Sequence, residues 1–158
     1  MHKNGGVYVG LIEIAPILFY DKGALIQNVA RGRRGRNMRI AVCENAAAPA
    51  ERLRFWIEQY CQCYHLTAVL RCFISPEVFS ACREPFDIVY LGFGGNTGFL
   101  QARLLRERDR FCRIILIDDT QEFAVRCVRL HCTDFILRPV EFRHIVRSMD
   151  LALRGGMR

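Results

Sequence analysis

Short apolar runs and longer amphipathic segments alternate along the chain from Met38 onward. The apolar runs are five to nine residues long and rich in Ile, Val, Leu and Phe, which is typical of buried strands. Each run is followed by a segment with apolar residues at helical spacing. The predicted strands are residues 38–43, 66–74, 86–91, 113–117 and 133–139, and the predicted helices are residues 48–62, 75–84, 98–110, 121–132 and 140–156.

The strand–helix alternation, repeated five times, predicts an α/β fold with a parallel sheet. Strands this apolar are covered on both faces, so the fold is doubly wound. Within the fourth helix the spacing brings Phe123, Val125 and Val128 near one another, and in the last helix Phe142, Ile145, Val146 and Leu151 are predicted to face the core.

Ligands of doubly wound sheets bind beyond the carboxyl ends of the strands, so the residues just past each strand are the candidates for a site. These residues are Glu44, Asn45, Gly92, Asp118 and Arg138.

Charge separates two regions of the 158-residue chain, which has a net charge of +7. Residues 1–37 contain six basic and two acidic residues, whereas residues 38–158 contain seventeen and fourteen. We therefore expect 1–37 to be a basic, disordered extension, 38–154 to be the folded domain and 155–158 to be a short tail. A second interpretation is that 1–37 is a translated leader upstream of a native start at Met38.

The cysteines and the most apolar part of the extension argue for a cytoplasmic protein. None of the eight cysteines forms a CxxC pair, and several lie in apolar runs, so we expect reduced, buried thiols and no metal site. The apolar segment 7–20 is shorter than the roughly 20 residues that a membrane helix needs, and Glu13 and Pro16 interrupt it.

The segment "GFGGNTG" admits a nucleotide-binding interpretation. Gly92, Gly94 and Gly98 follow a strand and precede a helix, and Asp118 ends the next strand. In the dinucleotide fingerprint, glycines let the backbone approach a pyrophosphate and an acidic residue holds a ribose. The third glycine is displaced by one position and the segment follows the third strand, so this is the weaker alternative.

Three segments together resemble a bacterial response-regulator receiver domain, nearest to the LytTR-class type. They are "MRIAVCEN", "FDIVYLG" and "RIILIDDTQEFAVRCVRLHCTDFILRPV", and the resemblance covers roughly residues 38–154. It implies a flavodoxin-like five-stranded sheet in the order 2-1-3-4-5 and a role in two-component phosphorelay signalling. A second alternative is a transcription regulator that is truncated before its DNA-binding domain, in which case direct DNA binding is not expected.

The residues that would carry receiver chemistry differ from the family pattern. Gly92 stands where the family has its phospho-acceptor Asp, and Glu44 and Asn45 stand at the acidic pair that binds Mg²⁺. Asp118 replaces the switch Thr or Ser, and Arg138 replaces the Lys. The resemblance therefore implies a degenerate pocket with no catalytic residue, no cofactor and at most weak Mg²⁺ binding through Glu44, so we do not expect an enzyme.

Two interpretations of this pocket stay open. Asp118 and Arg138 could pair across it, so that an internal carboxylate replaces the phosphoryl group and fixes Phe135, at the family's aromatic switch position. Alternatively these residues are solvated at the rim of the sheet. Phosphorylation of Asp118 or Asp119 is a third, weaker option. The resemblance also makes Pro139 the candidate for a cis peptide bond.

The resemblance implies a protein-contact face formed by the fourth helix, the last strand and the last helix. Arg126, Arg129, Phe135 and Arg143 lie on these segments and make the face basic, which suits an acidic partner. The expected partners are proteins, either a histidine kinase or another regulator, or a second copy of the chain in a homodimer.

Overall fold

The computed structural model describes residues 37–154, which form five strands and five helices in strict alternation. The elements are β1 (Met38–Glu44), α1 (Ala47–Cys63), β2 (Ala68–Phe73), α2 (Pro76–Ala81), β3 (Ile88–Gly92), α3 (Gly95–Arg108), β4 (Arg113–Asp118), α4 (Ala124–Arg129), β5 (Asp134–Leu137) and α5 (Phe142–Arg154). The extension 1–36 and the tail 155–158, including the proposed leader, lie outside the described residues.

All five strands are parallel and lie in the order β2-β1-β3-β4-β5. This confirms the predicted doubly wound, flavodoxin-like sheet. The three central strands are almost entirely buried, whereas β2 and β5 form the edges and expose part of their length. Each central strand contains four consecutive apolar residues, because a strand covered on both faces has no polar side to alternate with.

The sheet separates two apolar cores, one on each face. Residues of α1 and α5 pack on one face, around Ile57 and Met149. Residues of α2, α3 and α4 pack on the other, around Phe79, Leu105 and Phe123. Helices on both faces leave the carboxyl edge of the sheet as the place where loops from several strands meet.

The prediction that Leu151 faces the core is wrong, because Leu151 is 42% exposed. The buried stripe of α5 follows Ile145, Met149 and Ala152, together with Leu153. These residues follow the i, i+4, i+7, i+8 spacing of one helix face, and Leu151 lies away from it.

Helix α4 is six residues long, which is half of the predicted length. Phe123 and Cys127 face the core, whereas Val125 and Val128 are 72% and 73% exposed. Val125 and Val128 are therefore exposed apolar residues on the surface of α4.

The cysteine prediction holds in part. All eight cysteines lie in the described region as free thiols, but only Cys43, Cys61, Cys112 and Cys127 are buried. Cys63 is exposed, and Cys72, Cys82 and Cys132 are intermediate. No helix of residues 37–154 is long and apolar enough to cross a membrane.

Candidate functional site

The candidate residues meet at the carboxyl edge of the sheet. Glu44 and Gly92 are paired positions on the neighbouring strands β1 and β3. Asp118 ends β4 opposite Leu137 of β5, so Arg138 follows directly on the next strand. Parallel pairing therefore brings four of the five candidates to one edge, as expected from their positions after the strands.

Glu44 fills the space above Gly92. A Cβ atom built on Gly92 would lie 2.5 Å from Oε1 of Glu44, 2.6 Å from its Cδ and 2.8 Å from the backbone oxygen of Cys43. Atoms cannot approach this closely without movement. The conformation of Glu44 thus requires glycine at position 92, where the resemblance puts an aspartate.

Arg138 holds Glu44 in this position. Its Nη2 donates to Oε2 of Glu44 at 2.6 Å and to the backbone oxygen of Gly92 at 2.7 Å. Its Nη1 lies 3.8 Å from the carboxylate of Asp119, which is largely exposed. Arg138, the residue that follows β5, therefore connects the ends of β1 and β3 through one guanidinium group.

Burial dominates the electrostatics of this pair. Glu44 is only 3% exposed. Burial raises the pKa of Glu44 above its ordinary value, and the charge and hydrogen bond of Arg138 oppose the increase without cancelling it. The carboxylate consequently depends on Arg138 to remain ionised inside the protein.

The predicted pairing of Asp118 with Arg138 is wrong. The two oxygens of the Asp118 carboxylate accept hydrogen bonds from the backbone N–H of Gly95 at 2.9 Å and of Asp119 at 2.7 Å. The guanidinium instead reaches Glu44, and the hydrogen bond between the two residues runs from the backbone N–H of Arg138 to the backbone oxygen of Asp118 at 2.9 Å. Asp118 is buried, so the interpretation of a fully solvated rim is wrong for it as well as for Glu44.

The glycine-rich segment is the start of a helix. Gly94 and Gly95 have φ angles of 75° and 55°, a backbone conformation that favours glycine, and α3 begins at Gly95. The carboxylate of Asp118 accepts from the first N–H of this helix, at the end where the helix dipole favours negative charge. The position at which a dinucleotide site would bind pyrophosphate is thus taken by an internal carboxylate, which argues against the nucleotide-binding interpretation.

The remaining candidates support the edge of the sheet. Asn45 is exposed, and its Nδ2 donates to the backbone oxygen of Phe93 at 2.8 Å, which ties the loop after β1 to the loop after β3. Phe135 is partly buried against the core beneath α4. The peptide bond between Arg138 and Pro139 is cis.

The weak Mg²⁺ binding through Glu44 that was considered from the sequence does not fit this arrangement. The carboxylate of Glu44 is neutralised by Arg138, and both oxygens of Asp118 already accept backbone hydrogen bonds. Within residues 37–154, no group of three His, Cys, Asp or Glu side chains is placed to hold a metal ion. Asp119 has the exposed carboxylate at this edge, and a divalent cation bound there would lie beside the positive guanidinium of Arg138.

The arginines of the predicted basic face are all exposed, and their surroundings differ. The guanidinium of Arg126 lies 5.8 Å from the ring centre of Phe99 in α3 and 5.6 Å from that of Phe123, so it covers apolar rings. Arg143 pairs with the neighbouring Glu141 at 2.9 Å, which weakens its positive charge, and Arg129 is exposed.

Sequence reasoning missed the pairing of Glu44 with Arg138 and the close contact of Glu44 with Gly92. The available signal was the register, because a parallel sheet places the residues that end β1 and β3 side by side. A glycine beside a long carboxylate leaves that carboxylate room to fold over the neighbouring strand.

The comparisons with known proteins establish the fold. No protein-family model and no curated protein matches the chain. Among solved structures, the response regulatory domain of protein mrkE from Klebsiella pneumoniae matches with a TM-score of 0.62 and 18% identity, over 75% of this chain and 97% of that one. The non-phosphorylated HemR receiver domain from Leptospira biflexa matches with a TM-score of 0.61 and 18% identity, over 74% and 94%.

A third match is the signal receiver domain of a Luxo repressor protein from Vibrio parahaemolyticus, with a TM-score of 0.62 and 13% identity, over 75% of this chain and 91% of that one. At these identities the likeness shows the fold alone. The class that fold and topology define is the receiver-like α/β domain. The finer resemblance to the LytTR class stays a prediction.

Proposed function

We propose that this chain is a receiver-like domain of two-component signalling that acts through protein contacts and without phosphorylation. The observation that carries the proposal is the Glu44 side chain, which fills the space above Gly92 and is held by Arg138. The fold of the solved receiver domains and the strand-end resemblance support assignment to this signalling class.

The proposed mechanism is an internal substitution. In a receiver of the family pattern, a phosphoryl group on an aspartate is gripped by a lysine at the position of Arg138. Here the carboxylate of Glu44 supplies a negative charge to Arg138, and the acceptor position has no nucleophile. Unlike a phosphoryl group, the carboxylate of Glu44 is not added to the protein or removed from it. The pocket therefore keeps one arrangement.

Incubation of the full chain with Mg²⁺ and acetyl phosphate, followed by intact-mass measurement, tests the proposal. We expect no added phosphoryl group, under conditions in which a receiver that has an acceptor aspartate gains about 80 Da. A base-labile adduct that mapped to Asp118 or Asp119 would show that the acceptor lies at the carboxyl end of β4, and the proposal would fail.

The variant Gly92→Asp distinguishes two reasons why the chain would not be phosphorylated: the absence of a nucleophile at position 92, and the occupation of the pocket by Glu44. If only the nucleophile were missing, an aspartate at position 92 would gain a phosphoryl group. We expect no gain, because a Cβ there meets Glu44 at 2.5 Å. Circular dichroism of the variant must show a folded protein for this result to count.

The contact surface that we propose is the exposed side of α4 with the neighbouring strand β5. Val125, Val128 and Leu137 are exposed apolar residues there, and Arg129 adds a positive charge beside them. Exposed apolar residues beside charge are typical of protein-contact surfaces, and an acidic partner would suit this one.

A further inference from the structure

Helix α4 ends in a turn that brings two cysteines together. His131 has a φ angle of 52°, and the backbone N–H of Cys132 donates to the backbone oxygen of Cys127 at 3.0 Å. This is the hydrogen bond of the Schellman motif, in which the chain reverses after a left-handed residue. The reversal returns the chain to the last turn of α4 and places Cys132 beside Cys127.

Both side chains belong to the apolar core beneath α4, and their mutual interaction is the largest cause of the shift in each thiol's pKa. Cys127 is buried, and Cys132 is partly exposed at the turn. The unequal exposure separates their chemistry, because an oxidant in solution can reach Cys132 before it reaches Cys127.

The side chain of Arg106 from α3 adds a positive charge to the turn. Its Nε donates to the backbone oxygen of Leu130 at 2.9 Å and its Nη2 to that of His131 at 3.1 Å, the two residues before Cys132. The pKa of the Cys132 thiol is lowered, first by the hydrogen bond from Cys127 and then by Arg106, against the opposing effect of burial. The pKa of Cys127 is raised by the same hydrogen bond and by burial, with a smaller contribution from Asp118.

We propose that Cys132 and Cys127 form a redox site, in which peroxide oxidises Cys132 and Cys127 then closes a disulfide. The thiolate sulfur of Cys132 attacks one peroxide oxygen, the O–O bond breaks, and hydroxide leaves with the second oxygen. The sulfur of Cys127 then attacks the sulfenic acid, the S–O bond breaks, and the proton of Cys127 leaves with that oxygen as water. Two thiols and one hydrogen peroxide thus give one disulfide and two waters.

This site is separate from the pocket of Glu44, Gly92 and Arg138, because none of its atoms belongs to that pocket. A partly exposed, low-pKa cysteine next to a resolving cysteine is the arrangement of peroxide-sensing thiols. The other cysteines provide internal competitors, since Cys63 is exposed and Cys72 and Cys82 are partly exposed.

The test uses the full chain, reduced, desalted and treated with one equivalent of hydrogen peroxide before alkylation. Trypsin cuts after Arg126, Arg129 and Arg143, and Pro139 protects the bond after Arg138. A disulfide between the two cysteines therefore gives residues 127–129 covalently joined to residues 130–143, which reductant separates. We expect this linked pair to be the main oxidation product, with an intact mass lower by about 2 Da.

Two variants assign the roles. Cys127→Ser removes the resolving thiol, so Cys132 should accumulate as a sulfenic acid that dimedone traps. Cys132→Ser should leave Cys127 unoxidised, because it is buried and protonated. The proposal is overturned if Cys127 and Cys132 remain as free thiols after peroxide treatment while other cysteines are oxidised. It is also overturned if dimedone labels Cys132 equally in the native chain and in Cys127→Ser. The native chain decides the main question even if Cys127→Ser does not fold.

Discussion

Gly92 and Glu44 lie side by side on two hydrogen-bonded strands, and each residue limits what the other position can hold. Glycine gives the carboxylate of Glu44 room to fold over β3, and Arg138 then fixes the carboxylate there. The three residues are separated widely in the chain but function as one unit. Substitutions at the three positions should therefore lower the free energy of unfolding by different amounts, depending on which residue is left without its partner.

Arg138→Met should destabilise the protein more than Glu44→Gln. The first change leaves a buried carboxylate without its cation, which typically costs about 3 kcal/mol. The second keeps a neutral acceptor for Arg138 and should cost about 1 kcal/mol. Urea unfolding at pH 7 measures both changes in the free energy of unfolding. Equal losses would contradict the view that Glu44 depends on Arg138.

The cost of Arg138→Met should decrease as the pH falls from 7 to 5. Burial raises the folded-state pKa of Glu44, so the folded protein binds this proton more tightly than the unfolded chain does. The stability that protonation of Glu44 contributes is present below the unfolded-state pKa and is lost as the pH rises through the folded-state pKa. Removal of Arg138 raises the folded-state pKa of Glu44 further, so the stability lost between the two pKa values is greater in the variant. Protonation of Glu44 at lower pH recovers that loss. The double variant with Glu44→Gln serves as the control, and its deficit should not vary over this pH range.

Gly92→Ala should cost about 2 kcal/mol, because the added methyl group meets both Glu44 and the rigid backbone oxygen of Cys43. Gly98→Ala is the matched control. A Cβ at Gly98 makes ordinary contacts, the nearest at 3.7 Å, and alanine favours a helix by about 1 kcal/mol. We expect Gly98→Ala to be neutral or stabilising in thermal unfolding. A similar cost for both variants would show that the glycines matter through the backbone and not through Glu44.

At the scale of single elements, sequence and structure agree best where the determinants are local. All five strands were predicted to within two residues at either end, and β1, β3 and β4 each contain four consecutive apolar residues. The start of α3 was placed three residues late, because its N–H groups are satisfied by Asp118 from another strand. Helix α4 ends three residues earlier than predicted because the chain reverses at His131, and it begins three residues later than predicted.

The same distinction explains what was predicted of the site. Parallel strands necessarily bring their carboxyl ends together, so the candidate residues could be placed at one edge. Which carboxylate would bind Arg138 depends on side-chain conformations and on competing backbone donors, which no sequence pattern records. The N–H groups of Gly95 and Asp119 occupy Asp118 and leave Glu44 as the partner of Arg138.

Asp118→Ala should destabilise the protein by about 1–2 kcal/mol, because the first N–H of α3 loses its acceptor at a helix N-terminus. Asp119→Ala is a close control, since Asp119 is the next residue, is largely exposed and lies 3.8 Å from Arg138. We expect Asp119→Ala to cost less than about 0.5 kcal/mol. Amide exchange of residues 95–98 should increase in Asp118→Ala alone. Equal exchange in both variants would contradict a capping role for Asp118.

At the scale of the whole molecule, the chain has a receiver-like fold, and its strand-end residues differ from the pattern that the resemblance predicts. The fold follows from the apolar strands and the order of the elements. Solved receiver domains share this fold with the chain although only 12–19% of the aligned residues are identical. The pocket depends on a few polar side chains at strand ends. Those positions can change without loss of the fold because they lie outside both apolar cores.

A molecule whose pocket is filled from within should have one conformation regardless of phosphoryl-like ligands. We therefore expect Mg²⁺ with beryllofluoride, a phosphoryl mimic, to change the melting temperature of the full chain by less than about 1 °C. A ligand at a hundred times its dissociation constant would stabilise the folded state by about 2.7 kcal/mol, or roughly 5–10 °C for a chain of this size. A phosphorylatable receiver measured in parallel supplies the positive control.

Amide exchange of residues 124–137 extends this measurement to the surface proposed for protein contacts. If Glu44 and Arg138 hold the pocket in one state, exchange in α4 and β5 should be the same with and without the mimic. Increased protection of α4 together with a higher melting temperature would mean that Glu44 yields its place to the ligand. The domain would then be a responsive switch, and contact without phosphorylation would no longer describe it.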